Sequence, residues 1–165
     1  MDELEQLATL KADACTPEAI CSAIAKTFGV KNTEVALLEV AGRLLKFLYP
    51  AELRTTGVIP LSSSAVAART ARTRRAELFN SFTRVQHSSV FEVVRLGDSE
   101  GEGEVIQKLM SAPVFSPGEE VLGVIQVSRK ARSTAKAGPD FVPQDLGKLK
   151  SVAATVGTIL ARSKA

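Results

Sequence analysis

The strongest strand signal in the chain is the stretch VIQKLMSAPVFSPGEEVLGVIQVSR at residues 105–129. Two long apolar-rich runs, residues 105–115 and 120–129, flank the segment Ser116-Pro117-Gly118-Glu119. Ser, Pro and Gly favour turns because Pro presets φ and Gly tolerates positive φ. The stretch therefore predicts a long antiparallel hairpin, since so short a connection cannot cross over to a parallel partner.

A shorter hairpin is predicted upstream of this stretch. Residues 33–40 are rich in apolar side chains, Ala41-Gly42 forms a tight turn, and residues 43–49 supply the partner strand. Two such runs joined by a two-residue turn with Gly are typical of a β-hairpin. A brief apolar step at residues 58–61 and a short edge strand at 77–80 complete the strand predictions.

Helices are predicted between and around these strands. Residues 3–14 are amphipathic, and Thr16-Pro17-Glu18 is a strong start for a helix that stops at Gly29. Ser62-Ser63-Ser64 can cap an Ala- and Arg-rich helix running to about residue 73. A final helix over residues 143–163 carries an apolar stripe of helical period.

This order of elements predicts one α+β domain over residues 1–165, in which an antiparallel sheet carries helices on its faces. Residues 81–96 are ambiguous between helix and loop. Residues 97–104 are polar and glycine-rich, which predicts an exposed loop.

Composition narrows the class of protein. The 165 residues are 45% apolar and 24% charged, which excludes the signature of a disordered chain. The net charge of +3 gives no argument for nucleic acid as a partner.

The N-terminus is acidic, unlike a signal peptide, and no apolar run approaches the roughly 20 residues of a membrane span, so a cytoplasmic location is expected. Cys15 and Cys21, six residues apart, are interpreted as reduced and structural.

Five segments together resemble a GAF domain over nearly the whole chain. They are TPEAI at 16–20, IPLSSS at 59–64, MSAPV at 110–114, VLGVIQV at 121–127 and FVPQDL at 141–146. The resemblance implies a sheet of five or six strands, N- and C-terminal helices packed together, and a ligand pocket between the sheet and the middle helices. It also implies a sensory or dimerising module, although this fold does not fix function.

The resemblance also suggests a structural brace. Cyclic-nucleotide-binding members carry an Asn-Lys pair, a Phe and an Asp-Glu pair, and here Arg129-Lys130, Phe141 and Asp145-Leu146 stand in that order. Lys130, Phe141 and Asp145 match this motif. The interpretation is that Lys130 pairs with Asp145 and pins the final helix, with nucleotide contact as the alternative.

Catalytic constellations are missing from the sequence. Bilin-binding members carry a Cys-His pair, but Gln86 precedes His87 here. Members that reduce methionine sulfoxide need several cysteines near the pocket, whereas Cys15 and Cys21 fall in the first helical region. No nucleophile elbow, phosphate-cradling glycine loop or metal-ligand cluster occurs, so the chain is interpreted as a non-enzyme whose cofactor, if any, stays open.

The expected function is therefore a sensory module that binds a small anionic ligand and signals in trans. Arg69 on the basic middle helix could hold a phosphate or carboxylate, with a solvated face as its alternative interpretation. The alternatives for the whole chain are a ligand-free dimerisation adaptor and a cyclic-nucleotide-binding domain. A homodimer through the terminal helices is expected, with packing of these helices within one subunit as the alternative. The predicted ligand-binding residues are Ser63, Arg69, Asn80, Phe82, His87 and Phe91.

Overall fold

The computed structural model describes residues 16–50, 58–80, 105–131 and 134–163. The predicted helix at 1–14, the ambiguous stretch 81–96 and the loop 97–104 lie outside these ranges. No helix in the described ranges is long and apolar enough to cross a membrane. The main elements are α1 (Pro17–Phe28), β1 (Val35–Ala41), β2 (Leu44–Tyr49), β3 (Val58–Pro60), α2 (Val66–Thr73), β4 (Glu77–Phe79), β5 (Val105–Phe115), β6 (Val121–Ala131) and α3 (Pro143–Ser163).

The strands form one six-stranded antiparallel sheet in the order β3-β2-β1-β6-β5-β4. The long hairpin predicted from residues 105–129 is confirmed as β5 and β6, with Met110 opposite Val127. The Ser116 hydroxyl closes its turn by accepting hydrogen bonds from the backbone N–H groups of Gly118 and Glu120, each at 3.1 Å. The predicted α+β class and antiparallel sheet are thereby confirmed.

Helix α1 follows the predicted capping chemistry. The Thr16 hydroxyl accepts a hydrogen bond from the backbone N–H of Ala19 at 3.1 Å, and Pro17 occupies the first turn. Gly29 ends the helix with φ of 66°, a left-handed conformation that glycine adopts without steric cost.

The first hairpin differs from its predicted bounds at both strands. Strand β1 begins at Val35 because Asn32–Glu34 form a 3₁₀ turn, in which the Glu34 carboxylate accepts from the Lys31 backbone N–H at 2.8 Å. The turn is Gly42-Arg43 rather than Ala41-Gly42, since Gly42 is the residue with positive φ (65°) and β1 continues through Ala41.

Helix α2 begins later than the serine run predicted. Its N-cap is Ala65, which makes no side-chain cap, and the helix starts at Val66. The Ser63 hydroxyl accepts from the Ala65 backbone N–H at 3.4 Å, so Ser63 helps to form the turn before the helix. The predicted serine cap is therefore wrong, because the chain still has to turn from β3 towards α2 at these residues.

The sheet separates two apolar layers. On one face, α1 and α3 pack on the sheet around Ile24, Ile125 and Val156. On the other face, α2 packs around Ala68 and Leu109. Helices α1 and α3 therefore share one core, whereas the packing predicted for the helix at 1–14 lies outside the described residues.

Helix α3 approaches the sheet backbone to backbone at Gly157. A Cβ atom at Gly157 would lie 2.0 Å from the carbonyl oxygen of Phe115, the last residue of β5. Gly123 of β6 makes a similar approach to Leu38, with 2.1 Å between the hypothetical Cβ and the Leu38 carbonyl oxygen. The Gly157 contact fixes α3 beside the end of β5, where the candidate site lies.

Candidate functional site

The structure describes half of the predicted ligand residues. Ser63, Arg69 and Asn80 lie in the described ranges, whereas Phe82, His87 and Phe91 lie outside them. The convergence of all of these side chains on one cavity therefore stays a prediction. Each described member already contacts another part of the fold.

Arg69 on α2 pairs with Glu77 on β4. Its Nη2 lies 2.8 Å from Glu77 Oε2, and the two side chains are 44% and 22% exposed. A recess of about 550 Å³ is lined by Arg69, Thr73, Arg75, Ala76 and Glu77. An anion entering this recess would have to compete with the Glu77 carboxylate for Arg69, which weakens the recess as an anion site.

Ser63 serves the packing of α2 rather than an open cavity. Its carbonyl oxygen accepts from Arg72 Nη1 at 2.7 Å, and the same nitrogen also donates to the Leu61 carbonyl oxygen. The Arg72 guanidinium therefore ties the helix to the turn that precedes it.

Asn80 joins the end of β4 to the start of the final helix. Its Nδ2 donates to the Phe141 carbonyl oxygen at 2.9 Å, and its Oδ1 accepts from the Phe141 backbone N–H at 2.8 Å. Lys108 on β5 contacts the segment just before Phe141. Its Nζ donates to the Gly138 carbonyl oxygen at 2.6 Å and to Asp140 Oδ1 at 2.7 Å. We call Asn80, Lys108, Gly138, Asp140 and Phe141 the Phe141 joint.

The predicted brace between Lys130 and Asp145 is wrong in its pairing. Lys130 Nζ donates to the Thr33 carbonyl oxygen at 3.0 Å, and its backbone N–H donates to Glu34 Oε2 at 2.6 Å. Asp145 Oδ2 accepts from the Val142 backbone N–H at 2.8 Å and so caps α3. The Asp145 carboxylate turns back to the start of its own helix because orphan N–H groups there need an acceptor.

Phe141, the remaining residue of that motif, lies in the core. It is 2% exposed, and the Arg129 guanidinium carbon lies 4.9 Å from its ring centroid. The Phe141 joint thus pins the start of α3 through Asn80 and Lys108 instead of through Lys130.

A buried polar cluster between α2 and the sheet was not found from the sequence. Thr70 Oγ1 lies 2.7 Å from Ser111 Oγ, and Gln126 Nε2 donates to the same Ser111 oxygen at 3.4 Å. All three residues are at most 2% exposed. The signal was present, since Ser111 and Gln126 interrupt otherwise apolar strands, but their cross-strand pairing became visible only with the register.

The most site-like feature of the described residues is a cleft of about 580 Å³ between the end of α2, the end of β5 with its turn, and α3. We call it the basic cleft. Its lining residues are Arg74, Arg75, Ala76, Pro113, Phe115, Ser116, Pro117, Lys150, Ala154 and Thr158.

Arg74 forms a wall of the basic cleft. It ends α2 in a left-handed conformation with φ of 60°, and its Nη2 donates to the Glu119 carbonyl oxygen at 2.7 Å. Its guanidinium carbon lies 5.2 Å from the Phe115 ring centroid. These contacts connect the α2 terminus to the β5–β6 turn and hold Arg74 in place.

Arg75 and Lys150 are the cations of the cleft that have no partner in the described part of the chain. Within the ranges that the structure describes, neither side chain makes a hydrogen bond or an ion pair, and both residues are exposed. Arg75 follows the Arg-rich helix predicted from the sequence, but neither Arg75 nor Lys150 was among the predicted ligand-binding residues. Only the packing of α3 beside β5 brings Lys150 to the same cleft as Arg75.

Cys21 has no site-like character. It lies on α1, is fully buried, and has its thiol pKa raised by burial and, to a smaller extent, by the Glu18 carboxylate. Among the described residues, no group of three or more His, Cys, Asp or Glu side chains is arranged to hold a metal ion.

Comparison with solved structures identifies the fold. No protein-family model matches the sequence, and no curated protein matches it. The GAF domain of a phosphoenolpyruvate-protein phosphotransferase from Acinetobacter is similar, with a TM-score of 0.70, 12% identity, and coverage of 98% of this chain and 89% of that one. The corresponding domain from Coxiella burnetii gives a TM-score of 0.69, 9% identity, and coverage of 98% and 92%.

An enzyme is also among the similar structures. The free methionine-R-sulfoxide reductase from Neisseria meningitidis has a TM-score of 0.65, 14% identity, and coverage of 98% of this chain and 88% of that one. At such low identity, these likenesses show the fold alone. The chain has a GAF fold, and the similar structures with this fold include both domains of phosphotransferases and a reductase.

Proposed function

We propose that this chain is a non-catalytic regulatory module that binds a small anionic molecule in the basic cleft and passes the bound state to a partner in trans. The observation that supports it is a cleft of roughly 580 Å³ lined by two cations, Arg75 and Lys150, that have no partner among the described residues. That volume falls within the range of about 300–1,000 Å³ typical of small-molecule sites.

The lining of the cleft gives a route by which a ligand could alter the domain. Arg75 belongs to the connection between α2 and β4, whereas Lys150, Ala154 and Thr158 belong to α3. A ligand held by both elements would favour the arrangement in which they stay close. It would thereby shift the population of α3 positions that a partner could read.

The proposal of a non-catalytic role is supported by Cys21. The thiolate is the reactive form of cysteine, and burial of Cys21 keeps its thiol protonated. We expect no consumption of free methionine-R-sulfoxide by the purified chain with dithiothreitol as reductant. Turnover by the wild-type chain would make it an enzyme and contradict the proposal, and loss of that turnover in Cys21→Ala would assign it to Cys21.

Binding can be tested by thermal shift with inorganic phosphate, carboxylates, amino acids, nucleotides and cyclic nucleotides as probes. A probe at one hundred times its dissociation constant stabilises the fold by about 2.7 kcal/mol. We expect an anionic probe to raise the melting temperature of the wild type and not that of the Arg75→Gln/Lys150→Gln variant.

Two variants control for charge and for the neighbouring recess. Lys46→Gln removes an exposed cation from β2, outside the cleft, and should keep the shift. Arg69→Ala alters the recess beside Glu77 and should also keep it. A shift lost in Arg69→Ala but kept in the double variant would move the site to the recess. No shift with any probe, together with a dimer by light scattering, would favour the ligand-free adaptor.

A further inference from the structure

We infer that the ligand of the basic cleft is amphipathic: a compact oxyanion that carries an apolar body. This inference rests on the proposed function and goes beyond it by naming the ligand's chemistry. Its basis is the composition of the lining, which combines an apolar part with two cations that have no described partner. The apolar lining comes from Ala76, Pro113, Phe115, Pro117 and Ala154.

The apolar part is held in a fixed shape. Pro113 and Pro117 have ring-restricted backbones, and Phe115 is fixed by the Arg74 guanidinium 5.2 Å from its ring centroid. Its backbone is also held, because the Phe115 carbonyl oxygen faces Gly157 of α3. A preformed apolar surface costs little ordering when a ligand binds, so it favours a ligand that covers it.

The cations that line the cleft are suited to binding an oxyanion. Arg74 already donates to the Glu119 carbonyl oxygen, so the cations without a described partner are Arg75 and Lys150. They come from different elements, and an oxyanion between them would receive the planar fork of an arginine and the point charge of a lysine. Carboxylate and phosphate share this chemistry.

A simple inorganic anion would use only part of the cleft. It would satisfy Arg75 and Lys150 but leave the surface of Phe115 and both prolines in contact with water. Each methylene that leaves water for such a surface strengthens binding by about fourfold. Affinity should therefore rise with the length of an attached apolar chain.

The test is a calorimetric titration of the full chain with acetate, butyrate, hexanoate, phenyl phosphate, inorganic phosphate and the neutral analogue hexanamide. We expect hexanoate to bind at least tenfold more tightly than acetate, with butyrate between them. Phenyl phosphate should likewise exceed inorganic phosphate, and the two head-group series show which oxyanion the site prefers. Hexanamide should not bind detectably, because it lacks the charge.

A matched pair of variants on α3 locates the binding. Ala154→Glu places a carboxylate in the cleft, whereas Ser151→Glu places one on the same exposed side of the helix outside the cleft lining. Both sites are exposed, so both variants should fold, which is checked by circular dichroism. We expect Ala154→Glu to abolish hexanoate binding and Ser151→Glu to retain it, and Lys150→Gln to weaken it by about tenfold.

The outcomes separate the inference from the proposed function. If acetate and inorganic phosphate bind as tightly as hexanoate and phenyl phosphate, the inference is overturned while the anion-binding function stands. Equal binding of hexanamide overturns the inference, as does binding that survives Ala154→Glu. If none of the probes binds to the wild type, the inference and the proposed function both fail.

Discussion

The Phe141 joint and the basic cleft lie at the two ends of β5 and use similar residues in opposite ways. In the joint, the amide of Asn80 is occupied at both ends by Phe141, and the ammonium of Lys108 donates to Gly138 and Asp140. In the cleft, Arg75 and Lys150 have no hydrogen-bond partner among the described residues.

The difference shows that residue type alone does not mark a ligand site. A buried polar group must be satisfied within the fold, since leaving it unpaired costs about 1–3 kcal/mol. An exposed cation carries no such requirement and stays available to a ligand. The cleft is therefore the better candidate, although the joint contains more of the residues that the sequence singled out.

The largest effect is expected where α3 meets the wall of the cleft. Gly157→Ala should lower the free energy of unfolding by about 3 kcal/mol, because its Cβ would lie 2.0 Å from the Phe115 carbonyl oxygen. Gly147→Ala on the same helix meets no atom within 4 Å and should stabilise by up to about 1 kcal/mol through helix propensity. Urea denaturation measures both, and equal effects of the two variants would contradict the close packing of α3.

The difference between the Phe141 joint and the basic cleft is tested by replacing one lysine with glutamine in each of them. Lys108→Gln should cost about 2 kcal/mol, because Lys108 is 4% exposed and its ammonium holds two oxygen acceptors of the joint. Lys150→Gln should change stability by less than about 0.5 kcal/mol, as is usual for an exposed side chain without partners. A loss at Lys150 as large as that at Lys108 would show that the cleft is a structural element rather than an open site.

A smaller effect, dependent on pH, is expected from Cys21 in the interior. Its thiol pKa is raised by burial, so the folded state keeps the proton after the unfolded state, with a pKa of about 8.5, has lost it. The stabilisation is complete below pH 8.5 and is lost as pH rises above it, by up to about 1.4 kcal/mol per pH unit. Urea midpoints at pH 7 to 9.5 should fall more steeply for wild type than for Cys21→Ala, and parallel profiles would contradict this burial.

Local signals predicted most of the fold. The hairpin of residues 105–129 and the capped helix after Thr16 are encoded by turn and cap residues that act within a few positions. The predictions were wrong where a side chain can make either of two different contacts. Ser63 forms a turn rather than a cap, and Asp145 caps its own helix rather than pairing with Lys130.

The candidate site was less accessible from the sequence because it is assembled by packing. Arg75 and Lys150 are 75 positions apart in the sequence, and they line the same cleft because α3 packs against the end of β5 at Gly157. Asn80 and Phe141 are likewise joined by tertiary contact, so nothing local showed that the Asn80 amide is fully used.

The most direct test of anion binding in the basic cleft is a ¹H–¹⁵N correlation NMR titration of the labelled chain with hexanoate. If hexanoate binds in the basic cleft, we expect saturable chemical-shift changes at Arg75, Ala76, Ser116, Lys150 and Ala154, and little change at Asn80 or Phe141. Changes centred on the Phe141 joint, or no saturable change anywhere in the spectrum, would contradict it.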